Sequence, residues 1–142
     1  FKMMLGGQQR EFYSYSARGP GERDDGTLAP TALLGSLPFA PEIVEPTVQA
    51  MYFRYGEQLY DKYGFLDSFN PTIVRRPPQP FRHGEFRLGV GWVDKDYLGI
   101  DQGPIVAMIE NHRTGLVWNT MKKNPHIRRG LQRAGFTGGW LG

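Results

Sequence analysis

Between residues 104 and 117 apolar positions recur with helical spacing on two faces. Ile105, Met108, Ile109, His112 and Leu116 share one stripe at i, i+3, i+4 intervals. Val106, Glu110, Arg113, Thr114 and Val117 share another, apolar but interrupted by an acid, a base and a hydroxyl. Apolar residues on two sides predict a buried helix. Burying Glu110 and Arg113 is costly unless they are paired or face a polar cavity. A structural Glu110–Arg113 pair is the plain reading, and a cavity wall is the functional one. The preceding Gly99-Ile100-Asp101-Gln102-Gly103-Pro104 predicts a polar turn: Gly103 suits unusual backbone angles and Pro104 the first helical position. Asp101 and Gln102 are then expected just outside the helix N-terminus, where free N–H groups and the dipole favour a carboxylate.

Upstream, residues 1–30 predict a loop. Pro30 to Leu37 predicts a short buried helix of small residues, in which Gly35 and Ser36 admit a close neighbour. A longer helix is expected from Pro41 or Glu42 to about Tyr63, with Val44, Val48, Met51, Tyr52, Tyr55, Leu59 and Tyr63 as its core stripe. Pro46 is tolerable only near its start, and Gly64 is placed as its C-cap. Residues 71–90, with Arg75-Arg76-Pro77-Pro78-Gln79-Pro80, are expected to be irregular and solvated. Pro125 opens a last helix through Ile127, Leu131 and Ala134, closing at Gly135-Phe136 before a frayed glycine-rich tail.

Composition adds a second layer. The 142 residues include 19 Gly and 11 Pro between few helices, and long loops of this kind are uncommon in a compact domain unless functional. The chain opens at Phe1, inside an apolar phrase and without an initiator Met, so a piece of a larger domain is expected. The absence of Cys excludes disulfides and Cys-ligated metals. The net charge of +3 is mild. Its excess sits in Lys122, Lys123, Arg128, Arg129 and Arg133, a short stripe without interleaved aromatics, which argues against nucleic-acid binding. No signal peptide or membrane span is visible.

Candidate chemistry is carboxylate-based. Asp24-Asp25-Gly26 suits a turn in which Asp side chains bind nearby backbone N–H groups. With Tyr13, Tyr15 and Arg18 it also suits a sugar-binding loop. Asp67 and Asn70 lie among aromatics, a setting for oriented hydrogen bonding, or cap turns before Pro71. His83, His112 and His126 lack metal spacing, and the EF-hand pattern is absent. No phosphate loop or nucleophile elbow is present.

Asp24-Asp25-Gly26-Thr27-Leu28-Ala29-Pro30-Thr31-Ala32, Ser36-Leu37-Pro38-Phe39-Ala40-Pro41-Glu42, Tyr63-Gly64-Phe65-Leu66-Asp67-Ser68-Phe69-Asn70, Gly99 to Pro104 and Met108-Ile109-Glu110-Asn111-His112-Arg113-Thr114-Gly115 stand in this order. In these five blocks the chain resembles the glycoamylase-like domain family, which includes endo-β-1,2-glucanases and the C-terminal region of cyclic β-1,2-glucan synthases. Leu28 and Ser68 depart from the usual Ile and Ala. The resemblance implies a mainly α fold, the C-terminal third of an (α/α)6 toroid with long irregular loops, inactive by itself. It implies glycoside hydrolysis of β-glucan without a cofactor. Asp101 resembles the essential acidic or catalytic-base position, and Glu110 comes second, orienting Arg113 or substrate. Asp24, Asp25, Asp67, Asn70, Gln102, Asn111 and Arg113 are candidates to bind sugar hydroxyls. The general acid is expected upstream. The implied partner is an oligo- or polysaccharide, and the implied location bacterial and periplasmic or secreted. Processing in a membrane-bound glucan synthase, and a non-catalytic carbohydrate-binding module, are the alternatives.

Overall fold

The computed structural model describes residues 2–5, 8–14, 21 and 23–141. It is mainly helical, with three small antiparallel sheets. The first sheet overturns the expected N-terminal loop. Strands β1 (Lys2–Leu5) and β2 (Gln8–Glu11) pair from Lys2↔Glu11 to Leu5↔Gln8. The segments Lys2-Met3-Met4-Leu5 and Gln8-Gln9-Arg10-Glu11 carry no period-two alternation, so hydrophobicity does not announce the pairing. The aromatic and basic residues Tyr15 and Arg18 lie outside the described residues.

Helix α1 (Pro30–Gly35) starts with proline and packs against α3 (Gly99–Thr114). A Cβ on Gly35 would lie 3.9 Å from the Pro104 Cβ, the close approach expected of it. Of α1, only Pro30 and Thr31 are buried.

Helix α2 (Pro41–Leu59) carries Pro46 in its second turn. It stops four residues before the expected Tyr63. Tyr60 is extended, and β3 (Tyr60–Asp61) folds back on β4 (Gly64–Phe65). The Tyr60 ring packs edge-on against Tyr52 and Phe65, both at 5.1 Å between centroids, and the Leu66 N–H donates to the Leu59 carbonyl at 2.8 Å. These contacts hold the backbone out of the helix, so Gly64 serves a hairpin rather than a helix cap.

The third sheet is the centre of the fold. Strand β7 (Gly91–Asp94) lies between β5 (Ser68–Asn70) and β6 (Glu85–Arg87). All four residues of β7 are buried, as a central strand covered on both faces requires. Period-two alternation sends Phe69 and Val93 to one face, where they join Leu59, Phe65, Leu66 and Val90 beneath Val48, Met51 and Tyr55 of α2. Trp92 faces the other way, onto Phe12 and Ile73. Full burial of each such side chain contributes about 1.5–3 kcal/mol. Leu28 closes the edge by exchanging both main-chain hydrogen bonds with Phe69, at 2.8 and 2.9 Å.

Helix α3 begins at Gly99, five residues before the expected Pro104. The N–H groups of Asp101 and Gln102 donate to the Leu98 carbonyl at 3.0 and 2.9 Å. A proline disfavours helical angles at the residue before it through a clash with that residue's Cβ, and Gly103 has none. Asp101 and Gln102 therefore lie inside the first turn, not outside it. The helix ends where Gly115 turns left-handed (φ 68°), so Leu116 and Val117 belong to a separate helix α4 (Leu116–Lys122). Within α3 only Ile105 and Asn111 are buried and Val106 is 70 % exposed, which corrects the expected two-sided burial. Large apolar side chains stand exposed on α2 as well, among them Ile43 and Phe53.

Helix α5 (Pro125–Arg133) is capped by Asn124, whose Oδ1 accepts from the His126 N–H at 2.9 Å. The tail is not frayed throughout. Gly139–Leu141 forms a 3-10 turn, and Arg128 donates to the Leu141 carbonyl at 3.1 Å.

Candidate active site

Three elements bring carboxylates to one place: the residue leading into β5 (Asp67), the end of β7 (Asp94) and the first turn of α3 (Asp101). The antiparallel register sets Asp94 opposite Ser68. Gln102 Nε2 reaches the Phe65 carbonyl at 3.5 Å, tying the start of α3 to the end of β4. Tyr97, between β7 and α3, donates from its hydroxyl to the Gly64 carbonyl at 3.3 Å and packs edge-on against Tyr63. The first turn of α3 is thus held against the β4–β5 segment from both sides.

The electrostatics are uneven. Asp67 is enclosed, at 1 % exposure, whereas Asp101 is half-buried. Burial pushes the Asp67 carboxyl up to about 7, helped by the Asp101 charge, a hydrogen bond to Asp101 and the more distant Asp94. The Ser68 hydroxyl lies near enough to favour the charged form, yet Ser68 Oγ and Asp67 Oδ1 are both buried without a geometrically sound hydrogen bond. Burial also raises Asp94, opposed by the Asp96 N–H that its Oδ1 accepts at 3.2 Å and by nearby His83.

Two hydrogen-bonded carboxyls are too close to flank a glycosidic bond. A retaining pair stands about 5–5.5 Å apart and an inverting pair about 6.5–9.5 Å. Asp67 and Asp101 can share one proton, and cannot serve as opposed acid and base.

The other expected site residues are dispersed. Asp24 and Asp25 make the expected turn: Asp24 Oδ1 accepts from the Gly26 N–H at 2.9 Å, and Asp25 Oδ1 from the Thr27 N–H at 3.0 Å. Asp25 is 1 % exposed, and its Oδ2 accepts from the Tyr13 N–H at 2.9 Å. Asn70 is fully enclosed. Its Nδ2 donates to the Asp25 carbonyl (2.8 Å) and Thr27 Oγ1 (3.2 Å), and its Oδ1 accepts from the Thr72 N–H (3.0 Å) and hydroxyl (2.6 Å). An amide makes four such bonds, so none remains for a sugar. Asn111 is buried and accepts from the Trp118 N–H at 2.9 Å, joining α3 to α4.

Glu110 and Arg113 form the plain pair expected of them, 3.6 Å apart, with the Thr114 hydroxyl 2.6 Å from Glu110. Arg113 is largely exposed. Nine residues separate Glu110 from Asp101, about 13.5 Å along the axis and half a turn out of phase. Of the expected set, Asp67, Asp101 and Gln102 come together here, while Asp25 meets Asn70 and Glu110 meets Arg113 elsewhere. Asp94 and Ser68 join them unexpectedly. The one signal for Asp94 is a carboxylate ending the apolar run Val90–Val93.

Among the described residues no group of three or more His, Asp or Glu side chains is arranged to hold a metal ion, and no helix is long and apolar enough to cross a membrane. A groove of about 410 Å³ bordered by Arg76, Pro78, Phe81 and Phe86 includes neither Asp67 nor Asp101.

A family model described as Glycoamylase, putative glucoamylase, matches residues 4–125. The chain belongs to the glycoamylase family. This glycoamylase chain is 34% identical over 122 residues to an exo β-1,2-glucooligosaccharide sophorohydrolase (non-reducing end) of Parabacteroides distasonis, covering 85% of this chain and 15% of that protein. Among solved structures it is similar to a putative glucoamylase from Bacteroides uniformis (41% identity, TM-score 0.71, 90% of this chain and 27% of that one). It is also similar to the endo-β-1,2-glucanase of Chitinophaga pinensis in complex with sophorotriose and glucose (35% identity, TM-score 0.70, 89% and 27%). The glycoamylase chain thus spans roughly a quarter or less of the length of these relatives.

Proposed function

We propose that this chain forms part of the catalytic domain of a glycoside hydrolase that cleaves β-1,2-linked glucan, with Asp101 as the carboxylate that activates water. The observation that carries the reading is Asp101 itself. It is half-buried in the first turn of α3, beside an enclosed carboxyl, within a family whose relatives include β-1,2-glucan hydrolases. The helix N-terminus favours a negative charge there.

In the proposed step Asp101 takes a proton from water as the water oxygen bonds to the anomeric carbon. The glycosidic C–O bond breaks, and the leaving oxygen receives a proton from a second carboxylic acid. Asp67 is hydrogen-bonded to Asp101 and cannot be that acid. It comes instead from the part of an (α/α)6 toroid that residues 1–142 do not span. Gln102 and Asp94 line the base side, and Glu110 holds Arg113 in place. The exposed apolar side chains of α2 and α3 fit the same picture, since helices of a toroid bury such faces against neighbours. Export to the periplasm or beyond fits a polymeric glucan substrate.

The test is release of reducing ends by the full-length protein from linear β-1,2-glucan, compared with β-1,3-, β-1,4- and α-1,4-glucans. Preferential cleavage of the β-1,2 polymer is expected. Cleavage of another linkage alone would keep the hydrolase and overturn the substrate. Binding of glucan oligomers without any cleavage would leave a carbohydrate-binding module.

A further inference from the structure

The Asp67 carboxyl has no place in the hydrolytic step as written, yet it is the most enclosed acid beside the base. Its surroundings are specific. Asp67 is 1 % exposed, its Oδ1 and the adjacent Ser68 Oγ are buried without partners, and its carboxyl hydrogen-bonds Asp101. The frame is rigid on both sides: Leu66 is hydrogen-bonded to Leu59, Ser68 pairs with Asp94, and Gln102 reaches Phe65. The charged groups acting on Asp67 are Asp101 from α3 and Asp94 from β7; Asp96 and His83 act on Asp94. Among the described residues no Lys or Arg acts on the Asp67 and Asp94 carboxyls, and the positive influence of His83 falls on Asp94.

Two carboxylates within hydrogen-bond reach cannot both ionise in such a setting. The asymmetry of the site decides which keeps the proton. Asp101 has partial solvent contact and a helix N-terminus to favour its charge, whereas Asp67 has neither.

We propose that Asp67 is a positioning residue for Asp101: its protonated carboxyl donates a hydrogen bond to the Asp101 carboxylate and orients the oxygen that faces water. This rests on the reading of Asp101 as the base. As pH rises and Asp67 loses its proton, the donor becomes a second negative charge. Asp101 then loses its orientation, and activity falls on the alkaline side near neutrality. Asparagine at position 67 keeps a donor of the same shape and cannot ionise.

The experiment measures kcat against pH on linear β-1,2-glucan for the full-length protein and its Asp67→Asn and Asp67→Ala variants. In parallel, the Asp side-chain carboxyl ¹³C resonances are titrated in wild type, Asp67→Asn and Asp101→Asn. Asp67→Ala is expected to lose about 100-fold in kcat through misplacement of the base. Asp67→Asn is expected to lose less, and its alkaline limb to move upward. One carboxyl resonance should titrate near neutrality in wild type, vanish in Asp67→Asn and shift downward in Asp101→Asn, where burial still holds it above the ordinary carboxylate range. An unchanged alkaline limb in Asp67→Asn, or no near-neutral carboxyl that this variant removes, overturns the assignment. If the protein leaves glucan intact but the resonance behaves as described, the proton-sharing pair stands and the glucanase reading alone falls. Should Asp67→Ala fail to fold, the Asp67→Asn profile and the resonances still decide.

Discussion

Replacing Asn70 with leucine should destabilise the protein without touching its chemistry. The side chain has no exposure and makes four hydrogen bonds that tie the Asp25 turn, Thr27 and the Pro71 turn to strand β5. Leucine keeps the branched shape and is somewhat larger, so no cavity opens and any packing cost adds to the lost hydrogen bonds. The Thr27 and Thr72 hydroxyls can rotate towards solvent, but the Asp25 carbonyl and the Thr72 N–H each lose their bond to Asn70. At about 1–3 kcal/mol for each main-chain group deprived of that bond, the sum is roughly 2–6 kcal/mol. Urea unfolding of the Asn70→Leu protein, read from the displacement of the midpoint at unchanged slope, measures this directly. Thr72→Val serves as the reference, because it removes one hydroxyl and is expected to cost about 1 kcal/mol. A loss below about 1 kcal/mol for Asn70→Leu, accompanied by a raised KM, would refute the reasoning and return Asn70 to the sugar-binding residues.

Gly91→Ala should abolish soluble expression or come close to it, because at φ 98° a Cβ would be driven into the carbonyl oxygen of Asn70. The pH dependence of stability should also change with Asp67. Between the ordinary carboxylate range and about 7 the folded state holds a proton that the unfolded chain has released, so this group makes stability fall as pH rises through that window. Asp67→Asn removes the effect. Its stability advantage over wild type should grow from pH 4 to 7 and level off above, reaching at most roughly 4 kcal/mol; denaturation across pH that shows no such growth contradicts the account. Glu110→Gln should lower kcat far less than Asp101→Asn, since its partners are Arg113 and Thr114 on the far side of α3; equal losses in steady-state assays would place Glu110 at the reacting bond. Trp92→Phe should cost about 2–4 kcal/mol in thermal unfolding, through the lost bond from Nε1 to the His83 carbonyl and the space left in a fully buried site.

Where burial and periodicity coincide, the sequence was readable. The stripe Val48, Met51 and Tyr55 does face the core, and Asn124-Pro125 does open a helix. The turns at Asp24 and Asp25 followed from side-chain chemistry alone. The strands did not. Those of the central sheet are three or four residues long, too short for alternation to separate from noise, and β7 reads as an apolar run because both its faces are covered. Helix ends were misplaced where a local rule met a stronger neighbour: Tyr60 left the helix for its aromatic partners, and Gly103 let a helix run through the position before proline. At the candidate site, family resemblance singles out Asp101 and an aromatic setting singles out Asp67. Their contact is not legible in the sequence, because it joins residues on either side of a strand pairing that no periodicity announces. Asn70 looked like a ligand residue for the reason that makes it structural, a polar side chain amid aromatics.

The most direct test of the central claim compares hydrolysis of linear β-1,2-glucan by the full-length protein and by its Asp101→Asn variant, with folding of both checked by circular dichroism. The account predicts that the wild type cleaves the polymer and that the folded variant loses about 10²–10⁴-fold in kcat. A folded Asp101→Asn protein with wild-type activity would contradict it and reduce Asp101 to a residue that stabilises the first turn of α3.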